Sequence, residues 1–266
     1  MKFYLGTHET SWLGKTSVPL FISRRRLALR AKCPRALGPW ALDSGGFTEL
    51  SMYGEWRTKP QQYVSEVRRW RDEIGGMEWA AIQDWMCEPF ITAKTGKTVA
   101  EHQALTVQSY LTLCDLAPEV PWVPVLQGWM PSDYWTHYDA YLKAGVDLAS
   151  LPTVGLGSVC RRQHMASIHR LIIVLSGGAK LHGFGFKTQG LRAAHMHLTS
   201  ADSLAWSFGA RKSPPLPGHT HKNCANCLEY ALAWRARLLA SLGRNEQGLL
   251  DTGVQLQIDG RRQGTP

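Results

Sequence analysis

The chain predicts an α/β fold, a (β/α)8 TIM-like barrel with a small C-terminal zinc-binding subdomain. Two observations predict the barrel and a third the subdomain. Apolar runs alternate with helical stretches from Met1 to about Arg211, the alternation of a parallel sheet covered by helices. Eight such runs occur, and polar residues stand where they end: Asp43, Asp84, Gln127, Gly155 and His182. In a barrel those ends converge on one face, where the active site lies. Beyond Pro214-Pro215-Leu216-Pro217, two imidazoles and two thiols crowd into one short segment. A doubly wound open sheet would share the same alternation.

The first strand is Lys2 to Leu5, closed by Gly6, and the second is Val18 to Ile22. Arg24, Arg25, Arg26 and Arg30 follow, suited either to phosphate contact or to a solvated helix start. Pro39 to Leu42 is the third strand. Pro60 to Ile74 is a helix with Tyr63, Val67, Trp70 and Ile74 on one face, begun by a proline and stopped by Gly75-Gly76. Trp79 to Gln83 is the fourth strand. Val99 to Leu116 is a helix with an apolar stripe through Leu105, Leu111 and Cys114. The fifth strand is Trp122 to Leu126. Ser132 suits the N-cap of a helix running to Lys143, with Gly145 past its end. The later elements are a strand within Asp147 to Val154, a helix from Arg161 to Leu175 and a strand from Lys180 to Phe186. A short helix from Thr188 to Leu198 and a strand-like run from Ser200 to Phe208, containing Asp202, complete the set. The chain divides into a barrel over 1–212, a zinc-binding segment and helix over 213–244 and a polar tail over 245–266.

The richest stretch is Asp43-Ser44-Gly45-Gly46-Phe47. A carboxylate at a strand end, two glycines that allow close backbone approach and a flat ring suit a nucleobase site. A strand followed by a plain Gly-Gly turn is the simpler alternative. The C-terminal cluster is His219, His221, Cys224 and Cys227, spaced H-x-H-x2-C-x2-C. Zinc takes a tetrahedron of such nitrogen and sulfur ligands, and four protein ligands leave no position for water, so the zinc would be structural. A second H-x-H, His195 and His197, falls on a helix where i and i+2 do not face each other.

A net charge of +9 suits a polyanionic partner. Six cysteines, four of them scattered, fit a reducing compartment better than a disulfide framework. Met1 to Gly14 lacks the basic and apolar regions of a signal peptide, and no apolar run reaches bilayer length. A cytoplasmic protein without a membrane partner is therefore expected.

Taken together, Asp43-Ser44-Gly45-Gly46-Phe47, Asp84, Gln127-Gly128, Val154-Gly155-Leu156-Gly157, His182-Gly183-Phe184-Gly185, Asp202 and the zinc cluster occur in an order that resembles the tRNA-guanine transglycosylase superfamily. The chain looks closest to the short phage and bacterial (DpdA-like) enzymes that insert 7-deazaguanine bases into DNA. The resemblance spans nearly the whole chain. It implies a (β/α)8 barrel with a zinc subdomain and a pentosyltransferase exchanging guanine in DNA for a base such as preQ0. It implies Asp202 as nucleophile at the sugar C1′ and Asp43 as the acid and base on the departing and incoming purine. It implies Asp84 on the purine's Watson–Crick edge, Gln127, Gly128 and the backbone around Gly155 on the base, and Phe47 and His182 as the two halves of a ring sandwich. Two features depart from the family pattern: the zinc ligands are two His and two Cys instead of three Cys and a distant His, and the chain is short, without the additional domain that some relatives use on tRNA. The family also often has a thioether where His182 stands. An RNA enzyme of the same chemistry, a non-catalytic zinc-bearing nucleic-acid-binding protein and a metal-dependent hydrolase are the competing readings. The last is disfavoured because the His and Cys cluster follows the barrel instead of lining its strand ends.

Overall fold

The protein is described by a computed structural model in which residues 1–243 are placed; the polar tail expected over 245–266 lies outside the described residues. Apolar runs become strands β1 (Lys2–Thr7), β2 (Leu20–Ser23), β3 (Trp40–Asp43), β4 (Met77–Ala81), β5 (Trp122–Val123), β6 (Val125–Leu126), β7 (Val154–Leu156), β8 (Leu181–Gly183) and β9 (Ser200–Ser203). All pairings are parallel, in the order β5-β4-β3-β2-β1-β9-β8-β7-β6. The two ends of that order are halves of one run, Trp122 to Leu126, split at Pro124. One half pairs with β4 and the other with β7, so nine strands form a nearly closed barrel of eight staves. An open doubly wound sheet is excluded. Pro124 causes the split because it has no N–H for the ladder. Its carbonyl still accepts from Gly155 N at 2.8 Å, and Val125 N–H turns to the Tyr141 hydroxyl at 3.3 Å.

The covering helices are α1 (Arg24–Leu27), α2 (Gly46–Tyr53), α3 (Pro60–Ile74), α4 (Pro89–Thr95), α5 (Val99–Leu116), α6 (Pro131–Lys143), α7 (Ala166–Leu175), α8 (Thr188–Ala194), α9 (Ala205–Ala210) and α10 (228–243). In α3 the expected face is the buried one. Tyr63, Val67, Trp70 and Ile74 are all removed from water, and each contributes on the order of 1.5–3 kcal/mol. In α5 the bounds agree but the face does not. Leu105, Leu111 and Cys114 are only half-buried, and the buried side carries His102, Gln103, Thr106, Val107, Tyr110 and Leu113. Three polar residues turn inward because they bond to the loops after β4 and β6, described below. Ser132 does not cap α6. Met130 occupies that position, and Asp133 Oδ2 accepts from the N–H groups of Trp129 (2.9 Å) and Met130 (2.7 Å).

Other boundaries shift for local reasons. The run at Asp147 opens with a turn, Asp147 accepting from Ala149 N, and the strand begins only at Val154. The helix expected from Arg161 starts at Ala166, and the strand expected to reach Phe186 ends at Gly183. The run from Ser200 to Phe208 is strand only to Ser203; its second half is α9. What looks like a Gly-Gly turn opens α2, with Gly45 at φ +80° just before it.

Inside the barrel, Tyr4, Phe21, Ala41, Trp79, Ala81 and Val123 form one apolar plug, with Phe184 on top. The larger core lies between staves and helices. Helix α10 packs on the outside of the first stave: Trp234 meets Phe3 with ring centroids 6.1 Å apart, and Ala231, Leu238 and Leu242 are buried. Among the described residues no helix is long and apolar enough to cross a membrane.

Candidate active site

A filled barrel floor leaves space only above it, at the C-terminal strand ends. A cavity of about 280 Å³ opens there, lined by Asp43, Ser44, Phe47, Asp84, Glu88, Gln127, Ser158, Phe184 and Asp202 among others. Asp43 is the last residue of β3, Asp84 and Gln127 follow β4 and β6, and Asp202 lies in β9. Residues far apart in sequence thus meet because their staves end together.

Asp43 accepts bonds from the Ser23 side chain and the Gly45 N–H. Burial raises its pKa above the usual carboxylate range against those bonds, and the nearby Asp202 adds to the rise. Asp84 is pushed up to about 7, chiefly by burial and further by the charges of Asp43 and Glu88, while the Gln127 bond opposes the shift. Its Oδ2 accepts from Gln127 Nε2 at 2.6 Å, and Oδ1 lies 3.4 Å from Ser44 Oγ. Asp202 Oδ1 accepts from Gly185 N at 2.9 Å and lies 3.4 Å from His182 Nε2.

Gln127 is fully buried and held on every side. Its N–H donates to His137 Nδ1 at 2.8 Å, and its carbonyl accepts from Gln103 Nε2 at 2.8 Å. Burial lowers His137 to about 4, so the ring is neutral and Nδ1 is free to accept. The Gln127 amide lies against Gly157, where any Cβ would sit 2.2 Å from Nε2. The far side of the same amide meets Ser158 Oγ at 2.6 Å. Ser158 has φ +54°, and among the described residues it is the non-glycine with positive φ. A serine held there costs on the order of 1–3 kcal/mol.

Phe47 stands 43% exposed at the rim. Its ring is 6.0 Å from that of Phe90, and the Arg161 guanidinium lies over both, at 5.6 and 4.9 Å. His182 is fully buried and does not line the cavity. Its ring packs 4.7 Å from Trp79 and 4.8 Å from Phe184, and its Nδ1 meets Ser200 Oγ at 2.9 Å. Phe184, two residues on, shares that side of the strand one layer higher and forms the cavity wall. Gly128 and Gly155 also lie behind the wall. A Cβ on Gly155 would meet the Phe184 ring at 2.4 Å, and one on Gly128 would meet Asp133 and Tyr134 at 2.9 Å. In the sequence Phe184 falls within a motif but is assigned no role, and none of Glu88, Ser158, His137 and Gln103 is singled out. Strand alternation pointed to Phe184, which shares parity with His182; the others carried no signal beyond being polar.

The arginines divide. Arg24 is buried between Glu66 at 2.6 Å and Glu49 at 3.4 Å, and Arg162 donates to the carbonyls of Trp129, Gly128 and Ser158. Arg25 and Arg26 are exposed, and Arg26 and Arg211 lie near enough to help lower the pKa of His8 in the cavity lining, after burial.

The C-terminal cluster forms a second site. The donor atoms of His219, His221, Cys224 and Cys227 all lie within 4.8 Å of one another. His219 Nδ1 to His221 Nε2 is 3.3 Å, His221 Nε2 to Cys224 Sγ is 3.1 Å and Cys227 Sγ to His219 Nδ1 is 3.7 Å. Tetrahedral ligands at zinc bond lengths stand about 3.3–3.8 Å apart, so the set could hold a metal ion. Glu229 Oε2 lies 3.1 Å from the other nitrogen of His219, the outer-shell bond that fixes a liganding imidazole. His195 stays apart from it, buried on a 3-10 turn with Nδ1 at Leu191 O.

Fold and cavity together define a (β/α)8 barrel protein whose carboxylates gather at the C-terminal mouth. The chain belongs to the DpdA family, described as DeoxyPurine in DNA protein A, whose profile matches residues 1–254. The expected kinship with the DNA-modifying branch is therefore borne out, and the family implies DNA as the substrate. No curated protein matches the chain.

Proposed function

We propose that this protein is a guanine transglycosylase that exchanges guanine in DNA for a 7-deazaguanine base through a covalent Asp202-glycosyl intermediate. The observation that carries the reading is the convergence of Asp43, Asp84 and Asp202 on one ring-walled cavity in a chain of the DNA deoxypurine family.

Retaining the sugar stereochemistry during base exchange requires two displacements. The Asp202 carboxylate, aimed by Gly185 N–H, attacks C1′, and the glycosidic pair departs with the base. Asp43, disposed by burial to hold a proton, gives it to the leaving nitrogen. In the second half Asp43 takes a proton from the incoming base, whose nitrogen attacks C1′ and releases Asp202. Asp84 accepts from the purine N1–H and exocyclic amine, a pattern adenine does not offer. Gln127 holds Asp84 in place, and Phe47 and Phe184 cover the ring. The extruded base must leave its stack, at a cost of about a few kcal/mol. His219, His221, Cys224 and Cys227 would hold a structural zinc that fixes the segment before α10.

The test offers labelled deazaguanine base to purified protein with matched DNA and tRNA. Label should enter DNA. The Asp202→Asn variant should bind DNA, transfer no label and leave no adduct on a denaturing gel, and Asp43→Asn should slow transfer by about 10²–10⁴-fold. Full activity in Asp202→Asn would falsify the mechanism; label entering tRNA alone would move the substrate to RNA.

A further inference from the structure

Four side chains in the cavity wall form a line whose far half, Ser158 and Glu88, the exchange chemistry does not use. Asp84 Oδ2 meets Gln127 Nε2 at 2.6 Å, Gln127 Oε1 meets Ser158 Oγ at 2.6 Å and Ser158 Oγ meets Glu88 Oε2 at 2.8 Å. Ser158 Oγ also accepts from Cys87 N–H at 2.9 Å. A serine hydroxyl has one proton, yet it stands at bonding distance from two oxygens. With both carboxyls ionised, one of those short oxygen contacts has no hydrogen in it. One added proton fills the line in two ways. Glu88 can donate to Ser158, Ser158 to Gln127 and Gln127 to an ionised Asp84. With the amide turned over, Asp84 donates to Gln127, Gln127 to Ser158 and Ser158 to an ionised Glu88. Amide oxygen and nitrogen are interchangeable by such a turn.

Resting on the guanine-site reading above, we propose that Glu88 is a positioning residue for base recognition: Asp84 and Glu88 share one proton through Gln127 and Ser158, and a guanine edge draws that proton to Glu88. An ionised Asp84 accepts both purine donors, whereas a protonated one has turned a donor to Gln127. Binding would then need no proton exchange with solvent. The left-handed backbone of Ser158 independently marks a residue held out of its preferred conformation, and what that placement achieves is the contact with both Gln127 and Glu88. The other groups facing the line do not compete. Burial raises the pKa of Cys87, Cys160 and Tyr134 and keeps them neutral. Asp133 is engaged by the N–H groups before α6, and Arg162 by backbone carbonyls, including that of Ser158. Asp43 remains as the neighbouring carboxyl that disfavours a second charge at Asp84.

The test is calorimetry of guanine binding in buffers of different ionisation heat, repeated across neutral pH. Wild-type protein should release almost no proton, and its affinity should be flat with pH. In Glu88→Leu, which leaves no acceptor at the end of the line and no amide N–H to stand in for the protonated carboxyl, a proton on Asp84 has nowhere to go. Guanine binding should then release a proton, and affinity should rise about tenfold per pH unit below the Asp84 titration. Proton release by the wild type equal to that of the variant overturns the proposal. A measurement on the wild type alone decides the matter if the variant does not fold. With carbon-13 in glutamate, guanine should bring up a protonated-carboxyl infrared band that shifts with the label, and absence of that band is equally fatal. Failure of the wild type to bind guanine at all would instead bring down the base-site reading, and this inference with it.

Discussion

Asp84 and Asp202 carry the same functional group on opposite sides of the barrel mouth, and the protein treats them differently. Asp202 is fastened by a backbone N–H, whereas Asp84 is buried beside Asp43 and Glu88 and is pushed up to about 7. The sign of the consequence is fixed by linkage. A carboxyl whose folded pKa is raised favours the folded state when protonated, so its contribution is fully present below the unfolded value of about 3.9 and is lost as pH rises to about 7. Ionising Asp84 therefore costs stability above neutrality, at most on the order of 4 kcal/mol. Asp84→Asn keeps the shape, keeps an acceptor for Gln127 and removes the charge. That variant should melt higher than the wild type at pH 8, and the gap should shrink to about a third at pH 5, while guanine binding is lost. Thermal melts at the two pH values check the first half and calorimetry the second; an unchanged melting temperature at pH 8 would show that Asp84 is not strained.

At the scale of elements, how well the sequence could be read depended on what each helix packs against. Helix α3 faces apolar staves, so its apolar period gave the correct face. Helix α5 faces the loops that hold the cavity, and its buried side is polar for that reason: Gln103 reaches the carbonyls of Gln127 and Asp133, both at 2.8 Å, Thr106 accepts from Trp85 N and His102 meets Met86 O. An apolar stripe cannot report a face built from hydrogen bonds. The same limit applied in the site. Asp43, Asp84, Gln127 and Phe47 were legible because they follow apolar runs or sit in a dense motif. Ser158 and Glu88 were not, since their significance lies in a three-dimensional line of contacts. Gln103→Leu should take a donor from each of the two carbonyls and cost about 1–3 kcal/mol. Urea unfolding should show that loss, and guanine affinity should fall with it because Gln127 loses its anchor. Destabilisation with unchanged affinity would separate α5 from the site.

For the whole molecule, the C-terminal segment closes against the barrel, Ser207 Oγ donating to Ala225 O at 2.8 Å and Arg235 Nη2 to Phe3 O at 3.3 Å. The proposed zinc would hold this segment together, so Glu229→Ala, which frees the His219 ring, should weaken metal affinity by about 10–100-fold while leaving all four donors in place. Competition with a chromophoric chelator measures that change, and equal affinity would remove Glu229 from the site. The remaining charge follows from the division among the arginines. Arg24 and Arg162 are committed inside the protein, whereas Arg25, Arg26, Arg161 and Arg211 stand at or near the cavity mouth, where a DNA strand delivering its base would pass. Each phosphate neutralised there releases counterions, so single-strand affinity should fall with salt by a log–log slope of roughly −0.7 per contact. Replacing Arg25, Arg26 and Arg211 together by Ala should flatten that slope by about 2, one contact step for each phosphate lost. Free guanine binding should not change, because these side chains touch no group that holds Asp84 or Gln127. Fluorescence titration of labelled single strands at several salt concentrations measures the slope. An unaltered slope would place the DNA path on another face of the barrel, and a parallel loss of guanine binding would mean that the rim shapes the cavity instead of gripping the strand.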